Sequence, residues 1–134
     1  MPIKKCAGAL IFNNEYKLFL MTSPKWQGWL IPGGKIEDKE TPEEALKREI
    51  KEELNIDLKN ITFIEEHFKQ ASSDFYDPTV TFHFFSYVAQ AVQTTITPNK
   101  EITTYNWFSI EEALNLPLVD STKALILTYR KLKS

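Results

Sequence analysis

Cysteine, glycine and histidine are all scarce in this chain: 134 residues contain one cysteine, four glycines and two histidines, and no long hydrophobic run. A single cysteine, Cys6, cannot close an internal disulfide, which fits a reducing compartment, so a cytoplasmic location is the expectation. As a lone residue in an apolar strand, Cys6 reads as core packing. The N-terminal apolar stretch is broken by Gly8 and followed by Asn13-Asn14-Glu15, which is too short and wrongly flanked for a signal peptide or a membrane span. A net charge of −2 argues against a long nucleic-acid duplex as partner, because duplex affinity comes from clustered Lys and Arg. The one dense basic cluster, Arg130, Lys131 and Lys133, reads as a complement to the dipole of a terminal helix. With 43% hydrophobic and 25% charged residues, and neither repeat nor linker, the chain 1–134 reads as one globular domain.

Residues 5–12 and 17–22 are rich in strand-compatible apolar residues, with Asn13-Asn14-Glu15 between them as a turn, and predict a β-hairpin. Pro24 ends the second strand, and the stretch from Trp26 to Pro32-Gly33-Gly34 reads as a loop. Residues 41–54 carry a helix signature: Thr41 as N-cap, Pro42 at the first helical position and Glu44 three residues after the cap. Residues 61–68 and 80–92 are strand candidates, and the second, with aromatics on both faces, predicts a central strand. Between them, residues 70–78 read as a loop through Ser72-Ser73-Asp74 and Asp77-Pro78. A last strand at 105–109, a short helix at 110–115 capped by Ser109 and a terminal helix at 121–132 complete the chain. Strands and helices intersperse without βαβ regularity, which favours an α/β fold with a mixed sheet flanked by helices.

Within the helix at 41–54, three carboxylates share one stripe. With Glu49 at zero, Glu52 lies about 60° to one side and Glu53 about 40° to the other. Leu46, Ile50 and Leu54 form the adjacent apolar stripe, while Glu44, Lys47 and Lys51 point to solvent. Like charges at these spacings repel by roughly 0.2 to 0.5 kcal/mol per pair, and Arg48, four residues from both Glu44 and Glu52, offsets part of it. A divalent cation would neutralise the rest, and clustered carboxylate oxygens are the ligands that Mg²⁺ or Mn²⁺ prefers. Against this stands the commonplace acidic amphipathic helix, whose carboxylates are simply solvated.

The longer pattern is what carries the argument. From Gly34 to Ile56 the sequence resembles the Nudix hydrolases, whose box reads G-x5-E-x7-R-E-U-x-E-E-x-G-U with U aliphatic. It matches at Gly34, Glu40, Arg48, Glu49, Ile50, Glu52, Glu53 and Ile56. Asn55 stands where the family has glycine, at a helix end that needs a left-handed residue, and asparagine is the non-glycine residue that tolerates this best. Ile31 is an extra residue in the lead-in Trp29-Leu30-Ile31-Pro32-Gly33-Gly34, so no role is carried over to Trp29.

The resemblance implies a Nudix-type α/β/α sandwich and Mg²⁺-dependent (or Mn²⁺-dependent) hydrolysis of a diphosphate linkage in a nucleotide-like small molecule, with a homodimer as an open option. It makes Glu52 and Glu53 metal ligands, the Gly33 carbonyl a further ligand, and Glu49 a ligand or the general base. Glu40 and Arg48 would support the loop-helix-loop. Glu101, six residues before Trp107, looks like the acidic residue that the family often adds from outside the box. His67 and His83 are candidate substrate contacts, although strand histidines are more often filler.

For substrate, Pro32-Gly33-Gly34-Lys35 favours a nucleoside triphosphate pyrophosphohydrolase. ADP-ribose would be suggested by a proline where Ser72-Ser73-Asp74 stands, and Tyr76 lies too far on for a clear dinucleoside polyphosphate assignment. A non-catalytic nucleotide-binding Nudix domain is the alternative of a different class. A prenyl diphosphate isomerase finds poor support in lone Cys6.

Overall fold

A computed structural model of the chain describes residues 3–70 and 79–134. Residues 71–78, with Ser72, Ser73, Asp74 and Tyr76, lie outside the described residues. In chain order the elements are β1 (Ile3–Phe12), β2 (Leu18–Ser23), β3 (Trp26–Leu30), β4 (Gly33–Lys35), α1 (Pro42–Leu54), β5 (Leu58–Gln70), β6 (Thr81–Ala91), β7 (Thr104–Phe108), α2 (Ile110–Leu114) and α3 (Asp120–Lys133).

The strands form one mixed sheet in the order β3-β2-β1-β6-β5, with β4 added to β1 and β7 to β2. At its centre β1 and β6 run parallel, in unbroken register from Ile3↔Thr81 to Phe12↔Gln90. Alternation along β1 divides the core in two. Ala7, Ala9 and Ile11 meet Leu46, Ile50 and Leu54 of α1 on one face. Leu10 and Phe12 meet Ala113, Leu125 and Ile126 of α2 and α3 on the other. This is the expected sheet between helix layers, with β6 central as its two-sided aromatics predicted.

Two parts of the sequence reading are corrected. The stretch read as a loop before Gly34 contains strands β3 and β4. No alternation announces β3 because its partners, not its side chains, hold it: Ser23 and Met21 pair with Trp26 and Leu30, and Trp29 bridges in parallel to Leu118. Gly28, at φ 110°, lies against this crossing, where a Cβ would come within 2.8 Å of the Pro117 carbonyl oxygen. The second correction is to β5, which starts at Leu58 rather than 61 and is longer than read. It forms one edge of the sheet and shifts register twice against β6, between Lys59 and Thr62 and between Phe63 and Glu65.

The ends of α1 follow the sequence closely. Thr41 and Glu44 form a reciprocal capping box with Pro42 in the first turn. At the other end Asn55 takes φ 56° and ψ 41°, and its N–H donates to the Lys51 carbonyl. Because a non-glycine side chain resists that conformation, Asn55→Ala is expected to cost about 1 kcal/mol, or a few degrees of melting temperature. Asn55→Gly should leave the melt unchanged or raise it, and thermal unfolding of the two variants side by side checks the assignment.

Candidate active site

Arg48 is the hub of the segment from Gly33 to Leu54. Its Nε and Nη2 donate to Glu40 at 2.7 and 2.9 Å. Nη2 also reaches the Lys35 carbonyl at 2.9 Å, and Nη1 donates to Glu49 at 3.0 Å. Glu52 is a looser partner at 3.4 Å. Glu44, which sequence spacing offered as a partner, is engaged by the capping box instead. The Arg48 hydrogen bonds hold the Glu40 carboxyl down at about 2. Thus the loop before α1 is clamped to the helix by the two residues that the motif pairs.

The three carboxylates share a stripe, as the helical angles require, but they differ in burial. Glu52 is the outermost, its side chain 57% exposed on the Arg48 flank. Glu49 is half-buried, with its carboxylate over Gly34, where a Cβ would run into it. Glu53 is only 3% exposed, and one oxygen accepts the Gly33 N–H at 3.2 Å. Burial, then the neighbouring Glu49, Glu101 and Glu52 charges, push its carboxyl up to about 8 against the opposing Gly33 hydrogen bond. Burial likewise raises Glu49, with Arg48 opposing.

Glu101 reaches this cluster because the loop after β6 is stitched to the end of α1. Thr97 and Asn99 donate their N–H groups to the carbonyls of Leu54 and Glu53, satisfying acceptors that a helix C-terminus leaves open. Ile96 and Ile102 anchor the same loop in the core. The backbone of Glu101 is set by its hydrogen bond to Asn99 Oδ1.

Glu49, Glu53, Glu101, Gly33 and Gly34 line one cavity of about 610 Å³. Glu52 does not line it. His67 does, stacked at 5.2 Å on Phe84. His83 does not: it faces the other side of the sheet, between Phe68 and Phe85 and against Glu66. Lys4, Lys25, Lys35 and Lys100 add positive charge to the cavity wall, and Trp26, Phe82 and Phe84 add aromatic surface to it. Sequence reasoning passed over these, since isolated lysines and strand aromatics carry no spacing signal. Cys6 also lines this wall rather than being sealed in the core, and burial raises its thiol to about 11.

Among the described residues no three His, Cys, Asp or Glu side chains close into a ready-made metal cage. The donor chemistry nonetheless fits a hard cation. Oxygen donors of Glu49 and Glu53 face one space, and Mg²⁺ keeps several waters while taking only one or two carboxylates besides substrate phosphates. A carboxylate held short of full ionisation by burial and like charges is also what a bound cation would relieve.

The NUDIX domain profile matches residues 2–129, and the chain belongs to the Nudix family. An 8-oxo-dGTP diphosphatase of Proteus vulgaris is 46% identical over 57 residues, 42% of this chain and 47% of that protein. Another, from Haemophilus influenzae, is 42% identical over 90 residues, 64% of this chain and 62% of that one. An RNA pyrophosphohydrolase of Vibrio vulnificus is 37% identical over 57 residues, 42% of this chain and 33% of that protein. The matches therefore span less than two thirds of each relative. Among solved structures, the E. coli ORF135 protein has a TM-score of 0.79 at 25% identity, covering 100% of this chain and 93% of that one. A MutT Nudix hydrolase from Burkholderia pseudomallei has a TM-score of 0.79 at 23% identity, covering 96% and 98%. The second likeness is one of fold.

Two stability predictions follow from this geometry. Between an unfolded value near 4.5 and a folded value of about 8, Glu53 keeps its proton in the folded state and loses it in the unfolded one. Its contribution to metal-free stability is therefore greatest below pH 4.5 and falls as pH rises to about 8, by at most about 1.4 kcal/mol per pH unit. Denaturant melts in chelator should show this slope in wild type and a flatter one in Glu53→Gln. If Glu53→Gln instead melts several degrees below wild type at pH 8, the carboxylate is a structural ion-pair partner.

The second prediction contrasts the two glycines. At Gly34 a Cβ meets only the movable Glu49 carboxylate, whereas at Gly33 it meets the Ala7 carbonyl oxygen and Gly8 Cα. Gly34→Ala should melt close to wild type, and Gly33→Ala markedly lower.

Proposed function

We propose that the protein hydrolyses the diphosphate linkage of a nucleoside triphosphate, releasing a nucleoside monophosphate and pyrophosphate, with Mg²⁺ or Mn²⁺ as cofactor. The observation that carries this reading is the buried Glu53 carboxylate, set beside Glu49 and Glu101 in a cavity that Trp26, Phe82 and Phe84 also line. The names of the Proteus and Haemophilus relatives point the same way. Under this reading the protein works in the cytoplasm, where such nucleotides are abundant.

Glu53 would hold the cation, with the Gly33 carbonyl beside it, Glu52 at the outer flank, and Glu49 joining them as a ligand where Glu101 serves as the base. When bound, the cation neutralises charge developing on the diphosphate oxygens and lowers the pKa of the attacking water. Arg48 fixes Glu49 through Nη1 and so aims its free oxygen. Glu49, raised by burial, accepts the proton of the attacking water, the role a carboxylate performs best when its pKa moves toward the working pH. Glu101, held by the loop tied to the end of α1, shares the cation or takes the proton in place of Glu49. The lysines of the cavity wall attract the polyphosphate.

Hydrolysis should require a divalent cation, and Glu53→Gln should abolish it while the protein stays folded. Glu101→Gln should lower kcat at least tenfold, a demand of only about 1.4 kcal/mol, without changing the melting temperature. Purified protein assayed with Mg²⁺ against nucleoside triphosphates, ADP-ribose, dinucleoside polyphosphates and coenzyme A decides the substrate class. Turnover in chelator, or near-normal turnover by Glu53→Gln, would overturn the proposal, and binding without turnover of any of these would assign a nucleotide-sensing domain instead.

A further inference from the structure

Ser86 of β6 is 4% exposed and Thr122 in the first turn of α3 is 2% exposed, and both line the cavity. Neither side chain has a hydrogen-bond partner among the described residues. Yet among the described residues no buried side-chain oxygen is both sealed from solvent and unpaired, so the access that each hydroxyl keeps is through the cavity. Buried hydroxyls are ordinarily paired, and a helical threonine commonly bonds back to the carbonyl four residues earlier.

Their placement is systematic. Phe82, Phe84 and Ser86 lie on one face of β6, beside Lys4, Cys6 and Gly8 of β1. The next pair on that face, Leu10 and Val88, belongs to the core under α3. Ser86 is thus the last cavity-lining position on that face, and Thr122, which also lines the cavity, stands at the start of α3. Gly8 beside Ser86 is covered by the Ile31 side chain and the Pro32 carbonyl, each 3.2 Å from where a Cβ would stand. Phe82 and Phe84 are stacked at 5.5 Å, with Trp26 at 6.1 Å from Phe82. The N-cap of α3, Val119, makes no side-chain capping bond, so the first-turn N–H groups are not satisfied by a side chain there.

We infer that Ser86 and Thr122 are specificity-determining residues that hydrogen-bond the edge of a nucleobase stacked on the aromatic wall of the cavity. This rests on the nucleotide reading above and extends it from the phosphates to the base. A flat ring suits the aromatic wall, and rotatable hydroxyls both donate and accept, matching the mixed edge of a base. A wholly apolar ligand would leave both hydroxyls unpaired and is disfavoured. The hydroxyls rank bases against one another, while the carboxylates act on the phosphates.

The test measures binding of dGMP, dAMP, dCMP and dTMP by calorimetry to wild type, Ser86→Ala, Thr122→Val and Thr122→Ser, with hydrolysis of the matching triphosphates in parallel. Wild type should bind one monophosphate at least tenfold more tightly than the weakest. Ser86→Ala and Thr122→Val should each weaken that one by about tenfold and flatten the ranking, while Thr122→Ser, which keeps the hydroxyl, preserves it. With triphosphates the loss should fall on KM rather than kcat. Without nucleotide, Thr122→Val should melt at or above wild type, because it removes an unpaired hydroxyl, whereas a structural hydroxyl would lower the melt.

Wild type that binds no monophosphate, or binds all four alike, overturns the inference, as does an unchanged ranking in both hydroxyl-deleting variants. If wild type shows the ranking and the variants lose it while no triphosphate is hydrolysed, the base site stands and the hydrolase reading falls. If hydrolysis proceeds with the ranking intact in both variants, only the base site falls.

Discussion

One guanidinium organises this molecule's acidic end. Arg48 touches Glu40, Glu49 and Glu52 and the Lys35 carbonyl, so carboxylates from the loop and from the helix converge on a single planar cation. A lysine ammonium could not replace it, because the contacts need several donors in a fixed fork. Besides this clamp, the segment is held by the pairing of β4 with β1, by Ile36 packed in the core under α1 and by the Gly33 hydrogen bond to Glu53. Arg48 sets the pose of Glu49, while the pairing of β4 with β1 brings Gly33 and Gly34 over the helix and buries Glu53.

The clamp explains how a domain keeps so much like charge in one place. Glu40 is fully committed to Arg48, which frees Glu49 and Glu53 from structural duties at their cavity-facing oxygens. The loop bearing Glu101 arrives by a separate route, through backbone hydrogen bonds to the last carbonyls of α1. A side-chain clamp on one flank and backbone hydrogen bonds on the other therefore deliver acid groups to one space.

Much of this was legible in the sequence, for identifiable reasons. Capping at Thr41 and Ser109, the left-handed Asn55 and the apolar stripe of α1 are local effects, written within a few residues of where they act. The Nudix box was legible because its spacing is set by one helix and one clamp. The strand β3 was hidden because its existence depends on Leu118, far away in the chain, as well as on the neighbouring Met21. The differing burial of Glu52 and Glu53 was hidden too: helical angles place both on the stripe, and only the packing of β4 against β1 shows which one goes under. Ser86 and Thr122 gave no signal, since a hydroxyl announces itself only when its surroundings show that nothing answers it.

The parallel pairing of β1 with β6 bears on how the chain reaches this state. The first strand finds its central partner only beyond the middle of the sequence, and β4, with Gly33 at its head, hangs on the same β1. Contacts between such distant segments are entropically slow to form, which moves a mixed domain toward the slower end of the folding rates seen for its size. The hairpin of β1 and β2 and the helix α1 can each form early, but Glu53 has nothing to be buried under until the long loop closes. The acidic cavity is therefore among the last features to assemble, and a nascent chain released short of β6 would carry the whole motif without the site.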